Sequence, residues 1–190
     1  LLLGGGVWAG DDWREADSRI FVTGNQVACR RALNTLALYS WGGSVTALEA
    51  GATSADLALP AMLDPTIAAD AVALRDLLNA PERHLLLQQH LNPQTGTING
   101  RDPRARQLLR LLGNAVTVFD PMAGVAGEWC VRVFWRQDDR LTRRYCFSTQ
   151  CDLALPNDRV SLFHGNLVHG SAGSTAFGAT PAARAFSSGA

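Results

Sequence analysis

Glu128 to Arg136 reads EWCVRVFWR, and its strict alternation limits the fold more than any other stretch. Trp129, Val131, Val133 and Trp135 fall on one side of an extended chain, and Cys130, Arg132, Phe134 and Arg136 on the other. That period of two belongs to a strand and not to a helix. The tryptophan side is expected to face the core, with an acceptor for each indole N–H. Leu141 to Ser148, LTRRYCFS, is expected to return antiparallel across a turn at Gln137–Arg140. Register then governs the cysteines. A plain even loop sets Cys130 opposite Phe147, whereas an odd loop or a bulge sets it opposite Cys146. Val160 to Phe163 and Asn166 to Val168 are candidates for further strands.

Before this hairpin the apolar period reads as helical. Val27, Leu33, Leu36, Ala37 and Tyr39 recur at three or four residues within 25–40, and Gly42-Gly43 ends the run. Asp64-Pro65 has the form of a helix start, with an apolar face of Ile67, Ala71, Leu74, Leu77 and Leu78. Leu85, Leu86, Leu87 and Leu91 carry a second helical piece from Pro81 to Asn92-Pro93. Asp102-Pro103 repeats the starting device before Ala105, Leu108, Leu109 and Leu112. The expected fold class is α+β: N-terminal helices, including a helical hairpin, packed on a C-terminal antiparallel β-sheet.

Of the 190 residues, 47% are hydrophobic and 18% charged, enough apolar material for a core. No run of apolar residues is long enough to span a membrane. Formal net charge is zero, so no general field draws the chain onto nucleic acid or an anionic membrane. All 17 basic residues are arginine, which GC-rich coding explains as readily as a need for fork-shaped pairing.

Leu1 to Trp8 reads as the end of a signal-peptide apolar region, with Val7-Trp8-Ala9 suited to cleavage after Ala9. Beside it, the even set Cys29, Cys130, Cys146 and Cys151 suggests an oxidising compartment and two disulfides. If all four pair, Cys29 must bridge to the C-terminal trio, and in the chain-entropy model so long a loop contributes roughly 4–5 kcal/mol. The expected organisation is a leader remnant at 1–9, a single α+β domain at 10–169, and a flexible Gly/Ala/Ser-rich tail at 170–190.

His164-Gly165-Asn166-Leu167-Val168-His169-Gly170 is the most catalytic-looking patch. His164 or His169 with Asp152 or Asp158 would make a base and its orienter. His84 and His90, six apart on the expected helix, face different ways and do not pair on a metal. The cysteine spacings fit no zinc site, the Gly170–Thr175 run fits neither a nucleophile elbow nor a phosphate loop, and the acidic start at Asp11 to Asp17 fits no calcium loop. No cofactor or metal is therefore expected. Between Gly100 and Arg144 nine arginines stand against five acids. Arg132, Arg136, Arg143 and Arg144 could form a binding surface for a protein partner, or a solvated face of arginine–carboxylate pairs.

The sequence favours a non-enzymatic interaction or assembly domain, exported to the periplasm or outside a bacterium, in the envelope or a surface structure. It would dock a protein partner, not nucleic acid, through residues 128–148 as an apolar centre with a charged rim. One alternative is a small exported hydrolase using the histidines above. Another is a viral or phage structural protein, in which the opening leucines pack in the core and the cysteines stay free thiols.

Overall fold

A computed structural model describes residues 29–149 and 159–167 with their side chains, and outside them the backbone of 2–3, 6–9, 19–23, 27–28 and 170–172. The chain divides into two units: residues 1–28 with 168–190, and residues 29–167. In the first, β1 (Leu2–Leu3) pairs antiparallel with β4 (Val27–Ala28). There β3 (Arg19–Thr23) lies between β2 (Gly6–Ala9) and β13 (Gly170–Ala172). The stretch read as a leader thus contains β1 and β2, and the stretch read as a tail begins with β13.

The second unit holds two three-stranded antiparallel sheets. One has β10 (Glu128–Phe134) between β6 (Ser54–Ala58) and β9 (Val116–Asp120). The other has β7 (His84–Gln89) between β8 (Arg106–Arg110) and β12 (Ser161–His164). A short pair joins β5 (Ala47–Leu48) to β11 (Tyr145–Cys146). The only helix of more than one turn among the described residues is α1 (Ala68–Leu78).

Isolated bridges join the two larger sheets on both sides. Leu36 bridges Phe163 of β12, and two residues on Leu38 bridges Leu57 of β6. Across the ring, Leu111 at the end of β8 bridges Trp135 at the end of β10. Each junction has main-chain bonds in both directions, as in Leu36 N–H to Phe163 O (2.8 Å) and Phe163 N–H to Leu36 O (2.9 Å). The hydrogen bonds therefore run in a closed ring: residues 36–39, β6, β10, β8, β7, β12, and back to residues 36–39. Closure satisfies strand edges that an open sheet leaves bare. Alternate side chains point inward and share one core: Leu36, Leu38, Leu57, Leu85, Leu87, Leu109, Val131, Val133, Trp135 and Phe163. Leu74 and Leu78 of α1 join that core, as does Phe147, which stacks on Phe163. Burying one such leucine stabilises by about 1.5–3 kcal/mol.

The α+β expectation of helices packed on a C-terminal sheet is overturned. The structure is mostly β, and the one helix of more than one turn among the described residues, α1, lies mid-chain, inside the expected 64–79 segment. Both later helices are strands. Between Pro81 and Pro93, Leu85 and Leu87 are buried while Leu86 is half-buried, the alternation of a strand. A leucine run carries no period of its own, so closure of the ring decides it. Asp102-Pro103 makes a turn in which Asp102 accepts from the Arg104 N–H (2.9 Å), and the chain leaves it as β8. Within 25–40 the described residues, 27–40, hold β4, a single 3-10 turn at Arg31–Leu33 and the bridging segment. The 128–148 hairpin does not form either. β10 sets Cys130 between Ala58 and Val118, and β11 pairs with β5. No helix among the described residues is long and apolar enough to cross a membrane.

Candidate functional site

Alternation on β10 that sends Val131 and Val133 inward sends Cys130 and Arg132 outward. Register sets Arg132 directly opposite Asp56 of β6. The guanidinium grips that carboxylate with two bonds, Nε to Oδ1 (2.6 Å) and Nη2 to Oδ2 (2.8 Å). Trp41 Nε1 donates a third to Oδ2 (2.8 Å). The Asp56 hydrogen bond is the main influence holding the Arg132 guanidinium above its ordinary pKa.

Tyr39 comes in on the segment that bridges to β6, its N–H bound to Asp56 O (2.7 Å). Its hydroxyl donates to Oδ2 of the buried Asp120 (3.0 Å), with Glu128 Oε2 at 3.4 Å. Burial first, then Asp120, pushes the phenol well above its usual range. Tyr39 and Trp41 meet edge to face, ring centroids 5.2 Å apart. Trp41 holds φ at +51°, a left-handed backbone uncommon for a large side chain, and leads into Gly42-Gly43. Tyr39, Trp41, Val45, Leu48, Asp56 and Phe134 are among the residues lining a cleft of about 280 Å³.

The polar groups of this cleft are engaged with one another. Asp56 accepts three hydrogen bonds, and the hydroxyl of Tyr39 is directed at the carboxylates of Asp120 and Glu128. Burial, then Asp56, pushes the Cys130 thiol up to about 12, so it stays protonated. Sequence reading misses Tyr39, Trp41, Asp56 and Asp120. The alternation of Ser54–Ala58, which sets Asp56 outward between buried Ala55 and Leu57, is the signal that could have found one of them.

Most of the arginines singled out in the sequence face carboxylates. Arg132 has Asp56, Arg143 has Asp102 (2.8 Å) and Arg144 has Glu49 (2.9 Å). Arg136 is exposed just past β10. Arg110, from outside that set, makes a two-pronged pair with Asp139 that holds this carboxyl below its usual range. Three of the four expected contact arginines are thus engaged within the chain.

The His-Gly-Asn patch fastens backbone. A Cβ on Gly165 would stand 3.2 Å from both Leu33 and Leu85, so glycine lets β12 leave close to the core. Asn166 receives the Arg30 N–H on Oδ1 (2.9 Å) and donates Nδ2 to Arg30 O (2.8 Å). His164 meets the Asn34 carbonyl and His90, with no carboxylate among these bonds. Asp152, Asp158 and His169 lie outside the described residues. Of the expected disulfide cysteines, Cys29 and Cys130 are free thiols, which overturns the bridge from Cys29 to the C-terminal trio. Cys130 is walled in by β6 and β9, and Cys151 lies outside the described residues.

A different surface has a strand edge with no partner strand among the described residues. β9 ends its row β6-β10-β9. Along this edge and in the segments flanking it, Leu112, Val116, Phe119, Met122 and Val125 are exposed. Gly127, at φ +77°, allows the chain to pass Phe119, whose ring a Cβ there would strike. No family model matches the sequence, and neither a curated protein nor a solved structure shows significant similarity to it.

Proposed function

We propose that this chain is a non-enzymatic assembly component that associates with further copies of itself through the β9 edge. The observation carrying this reading is an edge strand, Val116–Asp120, whose one charged residue, Asp120, is buried. Strand edges that must stay single are usually blunted by exposed charge or proline. Here Val116 and Phe119 are exposed instead, and Leu112 beside them is 53% exposed. An uncharged edge offers nothing to select a charged partner, and a net charge of zero puts no repulsion between copies. An antiparallel β9–β9 contact would be self-complementary about a twofold axis.

Export to an envelope or surface structure belongs to the proposal only through the opening residues, since Cys29 and Cys130 are free. Those free thiols, with strands β1 and β2 in the opening stretch, favour a second reading, a viral or phage structural protein. Self-association is common to both.

Sedimentation of the full chain across a range of concentrations tests it. The wild type should show a mass above that of one chain that falls on dilution. Leu112→Lys with Val116→Glu, which puts charge on the edge, should give a single chain with an unchanged circular dichroism spectrum. A wild type that stays single at about 100 µM, a concentration at which even weak specific pairs form, sinks the reading. So does a charged-edge variant that assembles like the wild type.

A further inference from the structure

Two histidines from different elements meet on the outward side of the β7–β12 pair. His164 ends β12, and His90 follows β7 by one residue. Their Nε2 atoms are 2.8 Å apart. Nδ1 of His164 lies 2.8 Å from the main-chain oxygen of Asn34. A carbonyl oxygen only accepts, so this Nδ1 carries a proton, and the neutral ring keeps its lone pair on Nε2. A carbonyl that fixes the tautomer from behind is what orients metal-ligating histidines.

We propose that His90 and His164 bind a divalent transition-metal ion of the zinc, cobalt or nickel type through their Nε2 atoms, with water in the remaining positions. Zinc–imidazole bonds of about 2.0–2.1 Å at a tetrahedral angle set the two nitrogens about 3.3 Å apart. The rings need to part by only about half an ångström to admit the ion. Imidazole suits these metals, while magnesium and calcium prefer oxygen. Among the described residues no third histidine, cysteine or acid joins the pair. The site is therefore open and weak. His90 Nε2 faces the lone pair of His164 at 2.8 Å and carries the proton of the bond, so that proton must move to His90 Nδ1 when the metal binds, which is one reason for modest affinity. The charge of Arg101 also opposes a cation, a second reason for modest affinity. The sequence hides this pair: His90 and His164 are 74 residues apart, and a helical reading of 81–91 turns His90 elsewhere.

Calorimetric titration of the full chain with Zn²⁺, Co²⁺ and Mg²⁺ tests the proposal. Zn²⁺ and Co²⁺ should bind at one equivalent and Mg²⁺ should not. His90→Ala and His164→Ala should each weaken binding at least about tenfold, the usual scale for disturbing a metal site. His84→Ala, whose ring lies against the Glu82 carbonyl, should bind like the wild type. The Co²⁺ spectrum should lack thiolate charge-transfer bands, which separates the pair from Cys29. Should a variant unfold, imidazole nitrogen shifts of the wild type serve instead: Zn²⁺ should move Nε2 of His90 and His164 and leave His84 alone. Failure of the wild type to bind, affinity unchanged in both variants, thiolate bands, or shifts at other rings would each overturn it.

Discussion

The thiol of Cys130 is on the outward side of β10, and yet none of it is exposed. Its surroundings explain both its silence and its chemistry. Burial, then the negative charge of Asp56, raises its pKa from 9.0 to about 12. Thiolate is the reactive form, so this rise leaves very little of it at mildly alkaline pH. Cys29, only half-buried, lacks that shield. Iodoacetamide at pH 8, followed by peptide mass mapping, should label Cys29 early and Cys130 only when the chain unfolds. Equal labelling rates would mean that the outer face of β10 is open. The same residue marks a limit of sequence reading. Alternation correctly sets Cys130 opposite in sense to Val131, but nothing local says that Tyr39, Asp56 and Asp120 cover that side.

For single elements, α1 stands on packing more than on its ends. Its N-cap is Ile67, 47% exposed, with no side-chain cap bond. The nearby acid does not serve it: Asp64 instead binds the Thr66 N–H (2.9 Å) in a turn. Ile67→Asp places an acceptor where free N–H groups stand and sets a negative charge at the positive helix end. Urea unfolding should show a gain of about 1 kcal/mol; a loss would mean that Ile67 packs better than its exposure implies. Asp64-Pro65 is therefore legible as a boundary while its cap is not. β10 is legible because strict alternation has one solution. β7 is not, because Leu85-Leu86-Leu87 fits either period and only a partner strand on each side selects one. β9 escapes notice because Val116–Asp120 is short and its pairing with β10 depends on the chain's return from Gly127. The cleft and the histidine pair are hidden for one reason: residues far apart in sequence meet through register, which no local pattern records.

At the scale of residues 29–167, the decisive feature is that two small sheets share one ring and one core. Three-stranded sheets alone are marginal, and each would leave both faces to be covered. The junctions at Leu36, Leu38 and Leu111 convert them into a closed wall around side chains drawn from every member. A wall of this kind cannot lose one sheet and keep the other, because opening either floods the leucines of both. Leu85→Ala removes a fully buried side chain from β7, and such truncations cost about 2–5 kcal/mol. If the ring is one cooperative unit, native-state hydrogen exchange should show that cost equally at the slowest amides of β7 and of β10, although Leu85 is on neither β6 nor β10. Val131→Ala should act the same way in reverse, lowering protection in β12. Loss confined to the mutated sheet would show two independently opening halves, and the junction bonds would then be incidental to the stability of the fold. Equal loss also bears on assembly. β9 is hydrogen-bonded to a member of the ring without being one of its six, so a partner strand added at its free edge can come and go while the ring stays closed.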